Sequence, residues 1–392
     1  MSTHSDIIDG GEFVDSDDEF EVEEVSENPQ RYLEGLYYPI CIGETLANQY
    51  RIEHKLGHGG FSTVWMAYDI LAKKDVALKI MTPKKTNKHE YKMQIEIARS
   101  IQDKSHLILY KNTFILSGSH SEHRVLVLPL QGPNLRDHLR HKPVAVRMSA
   151  AKQLLQAISH LHDSGIAHRD LSSANVVWSL RPMDSSSVAE KYEHIGRPKK
   201  VRLDPDLWKA GELVMPMKAD ESLIGDDVSL GDFGLAIKSG TSVLQKLQSP
   251  AIYCAPERVH DQDPTFATDM WSYMCILAEL YMGYALFYGS GNSSIVSCIV
   301  HALGPLPTTW KGTYKAGGVS SDWWYDQDYE LDPTASLEAK VARLRPDIGA
   351  AERTLVISVL RKGLSYLPQD RLTARELLED ASFKDLMQIY GL

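Results

Sequence analysis

Five short motifs occur in one order along this chain: Leu56-Gly57-His58-Gly59-Gly60-Phe61-Ser62-Thr63-Val64, then Val76-Ala77-Leu78-Lys79, His168-Arg169-Asp170 with Asn175, Asp232-Phe233-Gly234, and Ala255-Pro256-Glu257. Each alone is a weak signal. Together they demand a fold that collects a bendable backbone turn, one ammonium, two carboxylates and an amide. Those are the parts needed to grip a nucleotide triphosphate, hold magnesium and orient a hydroxyl nucleophile.

Glycines 57, 59 and 60 lie between two alternating stretches, so backbone N–H groups there can approach phosphate oxygens with no Cβ in the way. The turn lacks the Gly-Lys-Ser/Thr ending of a P-loop, and no helix opens directly behind it, which also disfavours a dinucleotide-binding turn. Lys79 sits in an apolar strand 15 residues after Val64. A buried ammonium is costly unless it meets an anion, here the α- and β-phosphates. Its carboxylate partner is expected on the next helix, where the apolar rhythm of Ile97, Ala98 and Ile101 puts Gln94 in that place, with Glu90 and Glu96 close by.

Asp170 and Asn175, five residues apart at a strand end, divide the work: Asp170 accepts or orients the substrate hydroxyl and Asn175 ligates magnesium. Asp232, with glycine on one side and Phe-Gly on the other, is the principal metal ligand. His168 reads as a core histidine supporting the loop backbone, and His160 and His162 as helix and core residues. Glu257 and Arg371 are expected to pair. Arg169 either receives a phosphate from the loop between Asp232 and Glu257, where Ser239, Thr241, Ser242 and Ser249 are available, or stands solvated.

Strands are expected at Tyr50 to Leu56, Ser62 to Tyr68, Asp75 to Met81, Ile108 to Leu116 and Arg124 to Leu130, with one polar helix near Glu90 to Ile101. Beyond Gly132-Pro133 the pattern turns helical. Ala145 to His162, Asp269 to Tyr284, Leu337 to Arg343, Ala351 to Lys362 and Thr373 to Leu378 carry apolar residues at helical spacing. A β-rich lobe followed by a helical one predicts an α+β fold in two lobes, five strands and a helix in residues 36–131 and mainly helices in 132–392, with a cleft between them. Between Asn175 and Asp232 lie 56 residues, far more than a hairpin needs. The stretch 181–227, rich in Pro, Ser and charge, is read as an insertion lying on the surface without a core of its own.

Net charge is −10, and residues 1–35 hold twelve acids against one arginine, a net of −11, so the remainder carries +1. Residues 1–35 are therefore read as a disordered acidic tail, either solubilising or a docking or self-inhibitory segment for basic substrates. Four widely spaced cysteines, Cys41, Cys254, Cys275 and Cys298, point to a reducing compartment, cytoplasmic or nuclear, and argue against a zinc site. With no run of about 18 apolar residues, no membrane or secretory segment is expected.

The motifs make residues 50 to 386 resemble the eukaryotic protein kinases, and within them the SR protein kinases, particularly the shorter fungal forms. The narrower likeness rests on Glu27-Asn28-Pro29 through Tyr37-Tyr38-Pro39-Ile40-Cys41-Ile42-Gly43-Glu44, on Phe61-Ser62-Thr63-Val64-Trp65, on Tyr192-Glu193-His194-Ile195-Gly196-Arg197-Pro198 and on Leu303-Gly304-Pro305-Leu306-Pro307. The resemblance implies ATP and Mg2+ as cofactors, with Asp170, Lys79 and Asn175 catalytic and Asn175 and Asp232 on the metal. It places Leu56, Gly57, His58, Gly59, Gly60, Val64, Ala77, Lys79, Leu128 and Leu130 around the nucleotide. Leu128 would guard the back of the adenine pocket, and Pro129 to Gln131 would form the hinge.

The implied partner is a protein substrate, basic and Arg/Ser-rich, which Asp322, Asp326, Asp328, Glu330 and Asp332 would dock; neither nucleic acid nor membrane is expected, and the chain is read as a monomer. Three departures from the family pattern stand out. Ser172 stands where a lysine usually neutralises the γ-phosphate and Ala174 where tyrosine kinases supply an arginine; Gln94 falls at the lysine's partner place; Cys254 precedes Ala-Pro-Glu in place of arginine. They define the alternative reading, a pseudokinase-like module that holds nucleotide and transfers phosphate weakly. A metal-dependent phosphotransferase for small molecules is the third.

Overall fold

Apolar residues alternate with polar ones from Tyr50 to Met81, and this period of two builds an antiparallel meander. The structure, a computed structural model, describes residues 10–15, 19–83, 85–247, 250–330 and 332–392. It divides into two units. The first comprises Met1–Gln94, Ile108–Pro133 and Trp178–Gly225. Its elements run from β1 (Glu12–Phe13), α1 (Glu19–Val25) and α2 (Gln30–Leu33) to β2 (Thr45–Leu46), β3 (Tyr50–Gly59), β4 (Ser62–Asp69) and β5 (Lys74–Met81). After α3 (Lys85–Ser100) come β6 (Asn112–Ser117) and β7 (Glu122–Pro129). The sheet has six strands in the order β2-β3-β4-β5-β7-β6, one more than expected because Thr45–Leu46 adds a short edge.

One face of this sheet is a core of Ile52, Trp65, Ala67, Val76, Leu78, Ile80, Val125 and Val127. Side chains alternate along a strand, so Val64, Met66, Ala77, Lys79, Leu126 and Leu128 belong to the other face. Register brings these together: Val64 pairs with Lys79, Lys79 with Leu126, and Ala77 with Leu128.

The acidic leader and the insertion both depart from expectation. Residues 19–33 form two short helices, and Val22 and Tyr32 are buried at 0% and 1% exposure. Glu12–Phe13 pairs in parallel with Lys199–Arg202, which pairs with Glu212–Val214, so leader and insertion share a three-stranded sheet. Val22, Tyr32 and Tyr37 then pack with Leu203 and Leu213. The insertion is thus part of the sheet-bearing unit rather than of the helical one, and it is far from coreless. Met183, Tyr192, Ile195 and Leu223 cluster with Met66, with Leu56 and Leu130 packed against them. Lys191, 1% exposed, reaches out of the insertion to Glu53 at 2.8 Å and Asp75 at 2.5 Å.

The second unit comprises Ile95–Leu107, Asn134–Val177 and Asp226–Leu392 and is mainly helical. Its centre is the helix Phe266–Met282, buried from Thr268 to Met282 because nearly every position is apolar. Gly283, at φ +79°, ends it by returning its N–H to the Glu279 carbonyl at 2.8 Å. The helix Val144–Asp163 buries Met148, Ala151, Leu154, Leu155, Ile158 and Leu161, the stripe its spacing announced. Helices Leu337–Leu344, Ala350–Gly363 and Ala374–Glu379 follow the expected positions within a residue or two, and Asn292–Leu303 and Ala381–Ile389 add to them.

Candidate active site

The candidate groups divide between the units, and each set is organised by its own surroundings. In the sheet-bearing unit, Lys79 lies 2.9 Å from both carboxylate oxygens of Glu90, a pair only 9% and 4% exposed. The partner is therefore Glu90 and not Gln94. Gln94 lies one turn further along the same face of α3, where its Nε2 donates to Glu90 Oε1 at 3.1 Å and its oxygen accepts the Tyr110 N–H at 2.8 Å. The amide braces the carboxylate, and the proposed departure from the family pattern disappears.

The hairpin from β3 to β4 carries Leu56, Gly57, His58, Gly59, Gly60 and Val64, with Gly57 opposite Val64 and His58 opposite Thr63. A Cβ added at Gly57, Gly59 or Gly60 would meet nothing within 4 Å, and none of the three has positive φ. The protein's own packing therefore gives no reason for glycine here. Glycine at these positions leaves the backbone open to close approach from outside. Leu56 and Leu130 are half-buried beside the insertion, Ala77 and Leu128 face one another across β5 and β7, and register adds Leu126, fully buried opposite Lys79. Motif reading passed over Leu126, although strict alternation with Val125 and Val127 was the available signal.

In the helical unit, Asn175 Nδ2 donates to the Asp170 backbone oxygen at 2.8 Å and to its carboxylate Oδ2 at 2.9 Å. The amide nitrogen is thus spent on Asp170, which leaves the amide oxygen for a cation. His168, 0% exposed, donates from Nε2 to the Gly231 carbonyl at 3.0 Å while Nδ1 accepts the Asp170 N–H at 3.2 Å. This one imidazole ties the Asp170 loop to the strand end leading into Asp232, and its ring meets Phe233 edge-on at 5.3 Å.

Two non-glycine residues here hold left-handed backbone, Arg169 at φ +69° and Asp232 at φ +58°. Each such residue costs about 1–3 kcal/mol and persists where its neighbours over-determine it. For Arg169 they do: its N–H and that of His168 donate to Asp269 at 2.8 and 2.7 Å, and its carbonyl accepts from Arg258 at 3.2 Å. His162, stacked on Phe266 at 4.4 Å, reaches the same Asp269 carboxylate at 3.1 Å. Burial opposes the charge on Asp269, but the His162 hydrogen bond and the neighbouring histidines outweigh it and hold its carboxyl below the usual range.

Burial raises the Asp170 carboxyl above its ordinary range, and the nearby Asp232 charge adds to this against His168 and Asn175. Two acids in mutual repulsion, one bonded to an amide with an oxygen to spare, fit a hard divalent cation that takes oxygen ligands. Ser172, at the position usually held by lysine, is buried at 2% exposure.

The Arg169 guanidinium donates to the carbonyls of Leu235 at 3.0 Å and Gln245 at 2.9 Å, so it ties down the intervening segment through backbone atoms instead of standing in solvent. Ser239, Thr241 and Ser242 are exposed there, and Ser249 lies outside the described residues. Glu257 and Arg371 form the expected bidentate pair at 2.7 and 2.6 Å, almost wholly buried.

Residues 50–308 match the protein tyrosine and serine/threonine kinase family, and the chain belongs to it. Its sheet-bearing and helical units are the small and large lobes of the α+β kinase fold. The serine/threonine-protein kinase SRPK of Physarum polycephalum is 24% identical over 420 residues, spanning 96% of this chain and 94% of that protein. Serine/threonine-protein kinase AFC1 of Arabidopsis thaliana is 28% identical across 88% of this chain and 73% of its own length. Protein kinase dsk1 of Schizosaccharomyces pombe is 36% identical over a shorter stretch, 38% of this chain and 30% of its own. The chain is accordingly a protein serine/threonine kinase resembling the SR protein kinases, and it acts on protein substrates.

Proposed function

We propose that this kinase transfers the γ-phosphate of magnesium-bound ATP to serine or threonine hydroxyls in arginine/serine-rich proteins. The observation that carries the transfer chemistry is the Asp170–Asn175 pair, charge-coupled to Asp232 and built on one histidine-braced scaffold. Lys79, oriented by Glu90, takes the α- and β-phosphates, and the N–H groups of the glycine hairpin take the rest. Asn175 and Asp232 hold magnesium, which when bound neutralises charge on the phosphate oxygens. Asp170 then accepts the hydroxyl proton or aligns the hydroxyl for attack. Ala77, Val64, Leu56, Leu128 and Leu130 supply the apolar walls for the base.

The arginine/serine preference is supported by the family likeness and by four exposed acids, Asp322, Asp326, Asp328 and Glu330, clustered on a loop of the helical unit with Asp332 close after them. Asp322 already pairs with Lys311 at 3.2 Å, and Asp332 spends its carboxylate on the N–H and hydroxyl of Thr334, which makes these two the less available members of the set. Incubation with labelled ATP, magnesium and an Arg-Ser peptide, beside Asp170→Asn, tests the transfer: equal label in both samples would favour the module that binds nucleotide without turnover. Reversing the charges at 326, 328 and 330 tests the substrate class. A raised KM for the Arg-Ser peptide supports it, and unchanged kinetics remove it.

A further inference from the structure

The tip of the glycine hairpin is exposed, yet two of its carbonyls are held by side chains from the end of the acidic leader and the segment just after it. Tyr37 Oη donates to the Gly59 oxygen at 2.7 Å, and Arg31 Nη2 to the Gly60 oxygen at 2.7 Å. The two donors support each other, the Arg31 guanidinium lying over the Tyr37 ring at 4.5 Å. His58, at the same tip, lies 3.3 Å from the Val25 carbonyl.

Behind these contacts is a buried anchor. The Glu27 carboxylate accepts from the Lys55 ammonium and from the Tyr32 hydroxyl, all three residues 2% exposed or less. Lys55 belongs to β3, beside the register irregularity that leads to Gly57, and its Nζ lies 4.2 Å over the Trp65 ring. The leader is therefore fastened at the root of the hairpin and again at its tip.

A trans peptide sets its carbonyl and N–H in opposite directions. Holding the Gly59 oxygen on Tyr37 turns the Gly60 N–H away from the leader, and holding the Gly60 oxygen on Arg31 does the same for the Phe61 N–H. We infer that residues 27–37 are a positioning clamp for the phosphate-binding hairpin, with Arg31 and Tyr37 as positioning residues that aim its N–H groups and Glu27 as the fixed end. This inference rests on the ATP-dependent reading and assigns that site a part supplied from outside the 50–308 family match. The acidic leader thereby becomes part of nucleotide binding. Without its outer contacts, ATP must order the hairpin on arrival, and affinity falls by that cost.

The test uses the full chain with Arg31→Ala, Tyr37→Phe, their combination, and Arg31→Lys, which keeps a donor able to reach Gly60. Each lost hydrogen bond is expected to raise KM for ATP by about five-fold, and the double variant by roughly twenty-fold. Arg31→Lys recovers part of this, KM for the peptide stays unchanged, and the thermal midpoint stays put. Hydrogen exchange of the 57–62 amides in nucleotide-free protein accelerates alongside. An unchanged KM for ATP in the folded double variant overturns the clamp. So does a rise shared equally by the peptide KM together with a lowered midpoint, which would mark general loosening. If the unaltered chain binds no ATP, the transfer reading fails by itself. The exchange measurement then decides the clamp separately: acceleration confined to the tip upholds it, and unaltered exchange removes it.

Discussion

Residues 57–61 of the sheet-bearing unit and residues 168–175 of the helical unit are the two backbone loops to which the proposed mechanism assigns nucleotide and hydroxyl, and they are held in contrasting ways. The catalytic loop is packed from within its own unit: His168, Leu171 and Ser173 are at 0% exposure, and Asp269, Arg258 and Gly231 satisfy its backbone and imidazole. The glycine hairpin is exposed from His58 to Phe61 and leans on Arg31 and Tyr37. A loop that must keep an acid and an amide in fixed geometry is buried and over-determined. A loop that must close on a ligand keeps open space around its glycines and borrows its order from a separate segment.

The comparison is tested most severely by Asp170→Asn. It removes the proposed proton acceptor from a scaffold braced by other residues, so kcat should fall about 10²- to 10⁴-fold in steady-state assays with little change in the unfolding midpoint. A fall in stability of the same size would show that the carboxylate, and not its surroundings, holds the loop. Lys191→Met probes the other side, the attachment of the insertion to the sheet. It strands Asp75, leaves Glu53 with Arg51 alone, and should cost about 3–5 kcal/mol in denaturant unfolding. A loss below about 1 kcal/mol would return the insertion to a surface appendage.

Lys79→Met removes the ammonium that Glu90 orients. It should lower kcat/KM by about 10²- to 10³-fold, and the test is whether nucleotide binding weakens while the helical unit's exchange protection is untouched. The smallest effect is on pH. In the proposed mechanism Asp170 acts as a carboxylate, so activity should be present above its folded pKa and lost as pH falls through it. Burial raises that pKa, so the acid limb of kcat/KM should lie above the ordinary aspartate value of 3.8. A limb at or below 3.8 would place Asp170 in a more solvated setting.

Much of the helical unit was legible because its signals are local. The stripe from Met148 to Leu161 announces its helix within a few residues of itself. The Lys79 partner shows where such reading stops. Glu90 and Gln94 are four residues apart on one face of α3, so apolar rhythm finds the face, and only the distance from Lys79 selects the turn. The insertion was illegible for a different reason. Met183, Tyr192, Ile195, Leu203, Leu213 and Leu223 are too sparse to show a period, because their packing partners are Leu56, Met66, Val22 and Tyr37, more than a hundred residues upstream. The leader's acids similarly hide Glu27, whose charge is buried against Lys55.

The chain's own order of residues was enough to declare a kinase, because a phosphate-gripping turn, a lysine in a strand and two spaced acids are dictated by the chemistry and must be written in contiguous motifs. Which carboxylate meets the lysine, where the insertion belongs and what steadies the glycine hairpin were decided only on folding. Those outcomes depend on contacts between distant segments, and a sparse apolar or charged side chain carries no mark of its partner until the backbone brings the two together.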